Sequence, residues 1–299
     1  MTLIRRVDEL VDPTTLPAVP RPDRILMAEP EFFDVEYVIN PHMAGNVGQV
    51  DRLLARQQWR ALRETYRRLG QHVDVLPGEP FLPDYVFTAN QALPVPPGFL
   101  SERPGAILSI MRSARRQAEI RPYAAGLDSL GVQLEQLDPY EVRNVEGTGD
   151  GSWYPGRALL LAGVGPRSDE TAWVRVSAFT GVPIVILELV DPRFYHLDTC
   201  LAPIDERCAL YYPGAFTAEG CALIEALYPE AIAVGEAEAV NMVCNGHSPD
   251  GKNFIVEPGA PSATLALRER GVAVHEVETS EFRKSGGSVF CMKLHFWGP

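Results

Sequence analysis

Six polar residues at nearly equal spacing constrain this chain more than any other feature. Asn40, Asn90, Glu146, His196, Asn241 and Cys291 each sit where an apolar, strand-like stretch ends, and successive members lie 50, 56, 50, 45 and 50 residues apart. Between them one order recurs: a strand ending in polar residues, a second strand, an amphipathic helix and a further strand. A period of this size belongs to propellers and solenoids, whose supersecondary units bury their apolar faces against one another. Five intervals that return the chain to its start predict an α/β fold closed as a five-unit ring, with the polar ends gathered at one central mouth.

The units can be read along the chain. Residues 1–23, with prolines at 13, 17, 20 and 22, form an extended arm before the first strand, RILMAEP, and residues 24–299 form a single domain. FFDVEYVINP reads as a strand leading to a helix over about 47–69, with Val50, Leu54, Ala61, Tyr66 and Leu69 near one face and Gly70 at its C-cap, followed by HVDVLP. DYVFTAN and AILSI precede a helix over 120–130 and the strand VQLEQL, and RALLLAGV and PIVILEL flank a helix over 169–179. The last two units hold FYHLDTCLAPI, CALYYP, the helix AEGCALIEALY and AIAVG, then AVNMVCNG, NFIVEP, the helix ATLALRERG and VAVHEV.

Charge narrows the partners. A net charge of −12 with no basic patch argues against nucleic acid and favours a small cationic ligand. No apolar run has the length a membrane helix needs, and the first residues lack the apolar core of a secretory signal, so a cytoplasmic location is expected. Five cysteines, at 200, 208, 221, 244 and 291, include no Cys-x-x-Cys pair and read as reduced thiols. No phosphate loop, dinucleotide fingerprint or zinc motif is present, and no metal or cofactor is expected. A homo-oligomer is compatible with the sequence.

Three segments carry chemistry. Cys291, in SGGSVFCMKL, follows a Gly-Gly turn near the end of an apolar strand; a single buried thiol is ordinarily inert, but glycines let a backbone or ligand come close. In FYHLDTCL, strand alternation places His196 and Asp198 on one face, although such a pair also occurs as a core hydrogen bond. EGTGD sets Glu146 and Asp150 among glycines, a pattern shared with solvated turns. Together they suit attack on a guanidinium. An imidazolium stabilises a thiolate and can protonate a departing amine, while carboxylates match the planar fork of N–H donors.

FFDVEYVINPHM, LPDYVFTAN, EGTGD, DPRFYHLDTCLAPI, YYPGAF and SGGSVFCMKL, in this order, resemble the amidinotransferase superfamily, nearest its bacterial dimethylarginine dimethylaminohydrolase-like and arginine dihydrolase-like branch. The likeness runs from about residue 24 to residue 296. It implies the pentein fold, a five-bladed α/β propeller with pseudo-five-fold symmetry and its site in a central channel. It also implies metal-independent hydrolysis of the guanidino carbon of arginine or a derivative through a covalent Cys thiouronium intermediate. Cys291 then resembles the family nucleophile, His196 the general acid and base, and Glu146 the residue orienting His196. Asp198 is similar to the guanidinium-binding carboxylate. Arg116 and Arg167 match arginines that hold the substrate α-carboxylate, Arg112 is a looser match, and Asn40, Asn90 and Asp150 complete the substrate contacts. Relatives in the superfamily also transfer the amidino group to an amine, or bind ribosomes without catalysis.

The departures are informative. Deiminases and well-known dimethylargininases carry Asp where this chain has Asn90, and the pair Asn40 and Asn90 resembles arginine dihydrolases, which hydrolyse the guanidino carbon twice to ornithine, carbon dioxide and ammonia; bacterial dimethylargininase-like sequences share the pair. His42 stands where relatives often carry Trp, and MRSARR lacks the usual His-Pro. GSWYPGR is longer than the common form, so Trp153 and Tyr154 are expected to reshape the entrance.

Overall fold

The structure, a computed structural model, describes residues 2–298. Parallel neighbours in a sheet need a long crossover, and the helices predicted above supply it. Arg24–Ala28 pairs in parallel with His72–Leu76 across the helix Arg52–Arg68, in the register Arg24↔His72, and antiparallel with Leu294–Phe296. Gly105–Leu108 does the same with Gln133–Gln136 and Ala92–Val95, and Leu160–Val164 with Ile184–Glu188 and Gly151–Trp153. Ala209–Tyr211 repeats the pattern with Ile232–Ala233 and Leu201–Pro203. In the fifth sheet Asn253–Val256 pairs in parallel with Ala273–Glu276, and the antiparallel partner shrinks to the bridge His247↔Ile255. The result is a mixed α/β fold of five small sheets in which the last strand completes the first sheet. Leu3–Ile4 adds a parallel edge beside Ile184–Glu188, which anchors the N-terminal arm.

The helix Arg52–Arg68 shows why these elements form. Asp51 accepts from the amides of Leu53 and Leu54, a cap contributing about 1 kcal/mol. Ala55, Gln58, Trp59, Leu62, Thr65 and Tyr66 lie on its buried stripe, and Gly70 ends it at φ +79°. The helix starts later than its apolar pattern suggests, because Gly45 and Gly48 take φ +80° and +68° just before the cap. The expected face is rotated as well: Leu54 and Ala61 are exposed.

Three expected strands are absent. FFDVEYVINP forms turns, DYVFTAN contains the 3-10 helix Pro83–Val86, and AVNMVCNG spans the helix Glu236–Val240 and the 3-10 turn Val243–Asn245. Their alternation of apolar and polar residues mimics a strand, yet the polar members bond to nearby backbone instead. Asp34 accepts from the amide of Val35, and Asn40 from those of His42 and Met43. The apolar members still fill the core, where Phe33 stacks on Phe282 at 4.7 Å in the cluster that holds Cys291.

Candidate active site

Cys291 lies in a turn three residues before the strand Leu294–Phe296, not near the end of a strand. Gly286, at φ +89°, passes so close to the Asn40 amide and the Tyr195 hydroxyl that an added Cβ would stand 2.9 Å from each. A Cβ on Gly287 would meet the Phe87 ring at 2.5 Å. Only a Gly-Gly pair lets this loop reach the site. Asn245 then fixes it: its Oδ1 accepts from the amides of Ser288 (2.9 Å) and Cys291 (3.3 Å), while its Nδ2 donates to the Asp198 carbonyl (3.0 Å) and the Cys291 Sγ (3.2 Å). The Cys291 thiol donates to Asp198 Oδ2 at 3.3 Å, and Asp198 Oδ1 is buried without a partner.

His196 sits at the start of the 3-10 turn Leu197–Thr199, so strand alternation is not what relates it to Asp198. Its Nε2 meets Glu146 Oε2 at 2.7 Å and its Nδ1 is buried without a partner. Glu146 also accepts from Arg167 Nη1 (3.1 Å) and from the backbone amide of Arg112 (3.0 Å). Asp150 braces this turn, accepting from the Leu197 amide (3.1 Å) and the Ser168 hydroxyl (2.6 Å).

Asn40, Asp84, Asn90, Arg116, Arg167 and Cys291 line one narrow cavity with about 250 Å³ of empty space, part of it open to solvent. Although 245 residues separate them, Asn40 Nδ2 donates to the Ser285 carbonyl at 2.9 Å. Arg116 is gripped by Glu119 through Nε and Nη2, both at 2.9 Å, and donates from Nη1 to Asn90 Oδ1 at 2.9 Å. A guanidinium only donates, so the contact orients the Asn90 amide with its oxygen toward Arg116, and its buried Nδ2 is left as a free donor. Asp84 accepts from the hydroxyls of Tyr37 (2.8 Å) and Ser285 (2.9 Å), and Arg167 lies 4.8 Å from the centre of the Tyr195 ring.

The charges divide sharply. Burial pushes Asp198 up to about 7, and the Cys291 hydrogen bond and the Lys293 charge only partly offset this. Burial, then the Asp198 charge, raises the Cys291 thiol well above its ordinary range. Burial also works against ionised Glu146, but the His196 hydrogen bond and the charges of His196, Arg167 and Arg116 outweigh it and hold Glu146 near 2. Asp150, with fewer compensating partners, rises to about 6 through burial. The cavity therefore offers a protonated thiol and an amide donor, and behind the thiol lies the buried, unpartnered oxygen of Asp198.

Three expected substrate contacts do not line the cavity: Asp198 lies behind Cys291, and Arg112 and Asp150 stand further apart. Arg112 is exposed and touches Glu146 only through its backbone, and both Asp150 oxygens are engaged in bracing the His196 turn. Asn241 is also displaced, donating to the Pro258 carbonyl, whereas Asn245 reaches Cys291. Asn245 lies 46 residues before Cys291, close to the repeat of the chain, so the spacing held the signal but pointed to the wrong asparagine. Asp84 and Glu119, neither anticipated, hold the polar wall. Trp153 and Tyr154 line a different cavity, away from Cys291. Among the described residues no group of three or more His, Cys, Asp or Glu is arranged to hold a metal.

A thiol beside a carboxylate, and a histidine oriented by a glutamate, on five small α/β sheets, define the guanidino-modifying class of the amidinotransferase superfamily. Residues 40–296 match the profile of the family described as N,N dimethylarginine dimethylhydrolase, eukaryotic, and the chain belongs to that family. It is 41% identical over 276 residues to the N(G),N(G)-dimethylarginine dimethylaminohydrolase of Mycobacterium tuberculosis, covering 92% of this chain and 86% of that one. It is 36% identical over 280 residues to the bifunctional arginine dihydrolase/ornithine cyclodeaminase ArgZ of a Synechocystis species, covering 92% of this chain and 38% of the relative. The N-terminal domain of ArgZ, a mutant bound to its substrate, superposes with a TM-score of 0.86 at 33% identity over 92% of this chain and 98% of that one. Another mutant of that domain was captured covalently bound to a reaction intermediate, at a TM-score of 0.85, 33% identity and coverage of 92% of this chain and 99% of that one.

Proposed function

We propose that this chain is a hydrolase that opens the guanidino group of arginine twice, to ornithine, carbon dioxide and ammonia, with Cys291 as nucleophile. The substrate guanidinium supplies the cation that Asp198 Oδ1 lacks, and its charge favours the Cys291 thiolate, whose proton passes to His196. Sulfur then bonds to the guanidino carbon, a C–N bond breaks, and His196, held by Glu146, protonates the departing amine. Water, deprotonated by the now neutral His196, attacks the thiouronium carbon, and the C–S bond breaks to return the thiolate and release a ureido product. Arg167 and Arg116 supply the positive wall for the α-carboxylate. Asn40 holds the cavity rim.

The observation that carries two-step chemistry is the orientation of Asn90. With its oxygen facing Arg116, its unpartnered Nδ2 is the group left for the substrate, and a donor there suits the carbonyl oxygen of a neutral ureido group better than a guanidinium. Asn90 thus retains citrulline for a second attack by Cys291. This reading is framed by a five-bladed α/β propeller of residues 24–299 with 1–23 as its arm; it is supported by the five repeated sheets and by the return of Leu294–Phe296 to the first. A cytoplasmic location and a homo-oligomeric assembly complete the proposal. Mass-spectrometric product analysis with arginine, methylarginines and shorter guanidino acids tests it. Wild-type protein is expected to yield ornithine, Asn90→Asp to shift the product to citrulline, and Cys291→Ala to yield neither. Release of citrulline alone, or turnover of methylarginine but not arginine, would overturn the dihydrolase step; transfer to an added amine acceptor would indicate amidinotransfer.

A further inference from the structure

The residues flanking Cys291, Phe290 and Lys293, line a second cavity that Cys291 does not touch, with about 730 Å³ of empty space, part of it open to solvent. Its basic groups are Arg21, Lys293, His247 and His295, and Trp153 and Trp297 add apolar surface. Among the described residues no Asp or Glu lines it, in a chain that carries 39 of them and a net charge of −12. Lys293 is almost completely buried; its ammonium lies 3.0 Å from the centre of the Phe290 ring and, among the described residues, enters no hydrogen bond or ion pair. Asp198 and Cys291 draw on that charge only through space. The His295 Nε2 is buried without a partner. Arg21 also lacks an ion-pair partner among the described residues; nearby Asp250 is occupied by the amides of Lys252 and Asn253 and by the Asn253 side chain.

Burial without a hydrogen-bonded partner disfavours the charged form of the Lys293 amine, and an anion in the adjoining space favours it. We propose that the second cavity binds a small organic carboxylate, its charged head met by Lys293 and Arg21 and its apolar body packed on Trp153 and Trp297. The longer GSWYPGR segment contributes both Trp153 and Tyr154 to this wall. An amino acid with a cationic side chain is disfavoured by the same field, so the ligand is chemically distinct from the guanidino substrate.

Benzoate is a suitable probe and benzamide its uncharged counterpart, titrated into the full chain by calorimetry with tryptophan fluorescence as a second readout. Benzoate should bind and benzamide should not. Lys293→Met, which keeps the length of the side chain, should weaken benzoate about ten-fold, and Arg21→Gln about three-fold. Arg167→Ala, in the first cavity, should leave its affinity unchanged. Equal binding of benzamide, loss of benzoate binding in Arg167→Ala, or no binding at millimolar concentration would overturn the proposal. Should Lys293→Met fail to fold, Arg21→Gln decides, since an unchanged affinity there contradicts a role for the cavity cations.

Discussion

Glu146 and Asp198 are both buried carboxylates within the same site, yet the surroundings drive them in opposite directions. Glu146 accepts from His196, Arg167 and a backbone amide and is held near 2; Asp198 accepts from a neutral thiol, keeps one oxygen unpartnered and rises to about 7. Burial is common to both, so the difference lies in which partners are already present. Glu146 is finished before substrate arrives and belongs to the machinery that aims His196. Asp198 is left incomplete, and the missing partner is a cation with several N–H donors.

The largest expected effect on this contrast is on turnover. Asp198→Asn should lower kcat/KM for arginine by about a thousand-fold or more, because the charge that meets the guanidinium is gone. Glu146→Gln should lower kcat by about a hundred-fold with a smaller change in KM, since the histidine loses its anionic anchor. Equal losses carried entirely by KM in both variants would erase the distinction.

Stability should separate the two residues by sign. The folded value of Asp198 lies above its ordinary 3.8, so its contribution is fully present below that value and is lost as pH rises through about 7. Glu146 lies below its ordinary 4.5, so its contribution is present above that value and is lost as pH falls through about 2. At mildly alkaline pH, Asp198→Asn should therefore stabilise the free protein by about 1–3 kcal/mol, and Glu146→Gln should destabilise it by about 2–4 kcal/mol, in denaturant titrations. Two shifts of the same sign would break the comparison.

The pH dependence of turnover sharpens it further. In the free enzyme Asp198 must ionise before it accepts the guanidinium, so kcat/KM should rise as pH rises through about 7. The bound cation favours the ionised carboxylate, and the acid limb of kcat should move to lower pH. Lys293, lowered to about 7 by burial, titrates in the same range, so the limb is to be measured again in Lys293→Met. Loss of the limb in that variant would transfer it from Asp198 to the lysine.

These contrasts were only partly legible in the sequence. Spacing and motif placed Cys291, His196, Glu146 and Asp198 together, because the repeat delivers one polar segment per unit to the same region. It misjudged how each segment arrives. His196 and Asn245 enter on 3-10 turns and Cys291 on a turn, held by side-chain-to-backbone bonds that have no periodic signature. Hence Asn241 was expected in place of Asn245, and Asp150 as a substrate contact in place of a brace. The pairing of Asn90 with Arg116, which decides what the amide can donate, depends on a contact between residues 26 apart and is invisible to any local pattern.

The smallest expected effects come from two serines, one behind Glu146 and one in the substrate cavity beside Asp84. Ser168 Oγ accepts from the Glu146 amide at 3.0 Å and donates to Asp150 at 2.6 Å, fully buried and outside the substrate cavity. Ser285 lies within that cavity and donates to Asp84 at 2.9 Å. Ser168→Ala strands a buried amide and a carboxylate oxygen together, so it should cost about 1–3 kcal/mol of stability while leaving KM for arginine nearly unchanged. Ser285→Ala leaves Asp84 still bonded to Tyr37, so its cost should be about 1 kcal/mol or less, with KM altered about two- to three-fold as the freed oxygen faces the substrate. Thermal unfolding and steady-state kinetics on the pair check this. A reversed outcome, with Ser168→Ala acting on KM and Ser285→Ala on stability alone, would mean that the Glu146 side meets the substrate and the Asp84 wall of the cavity does not.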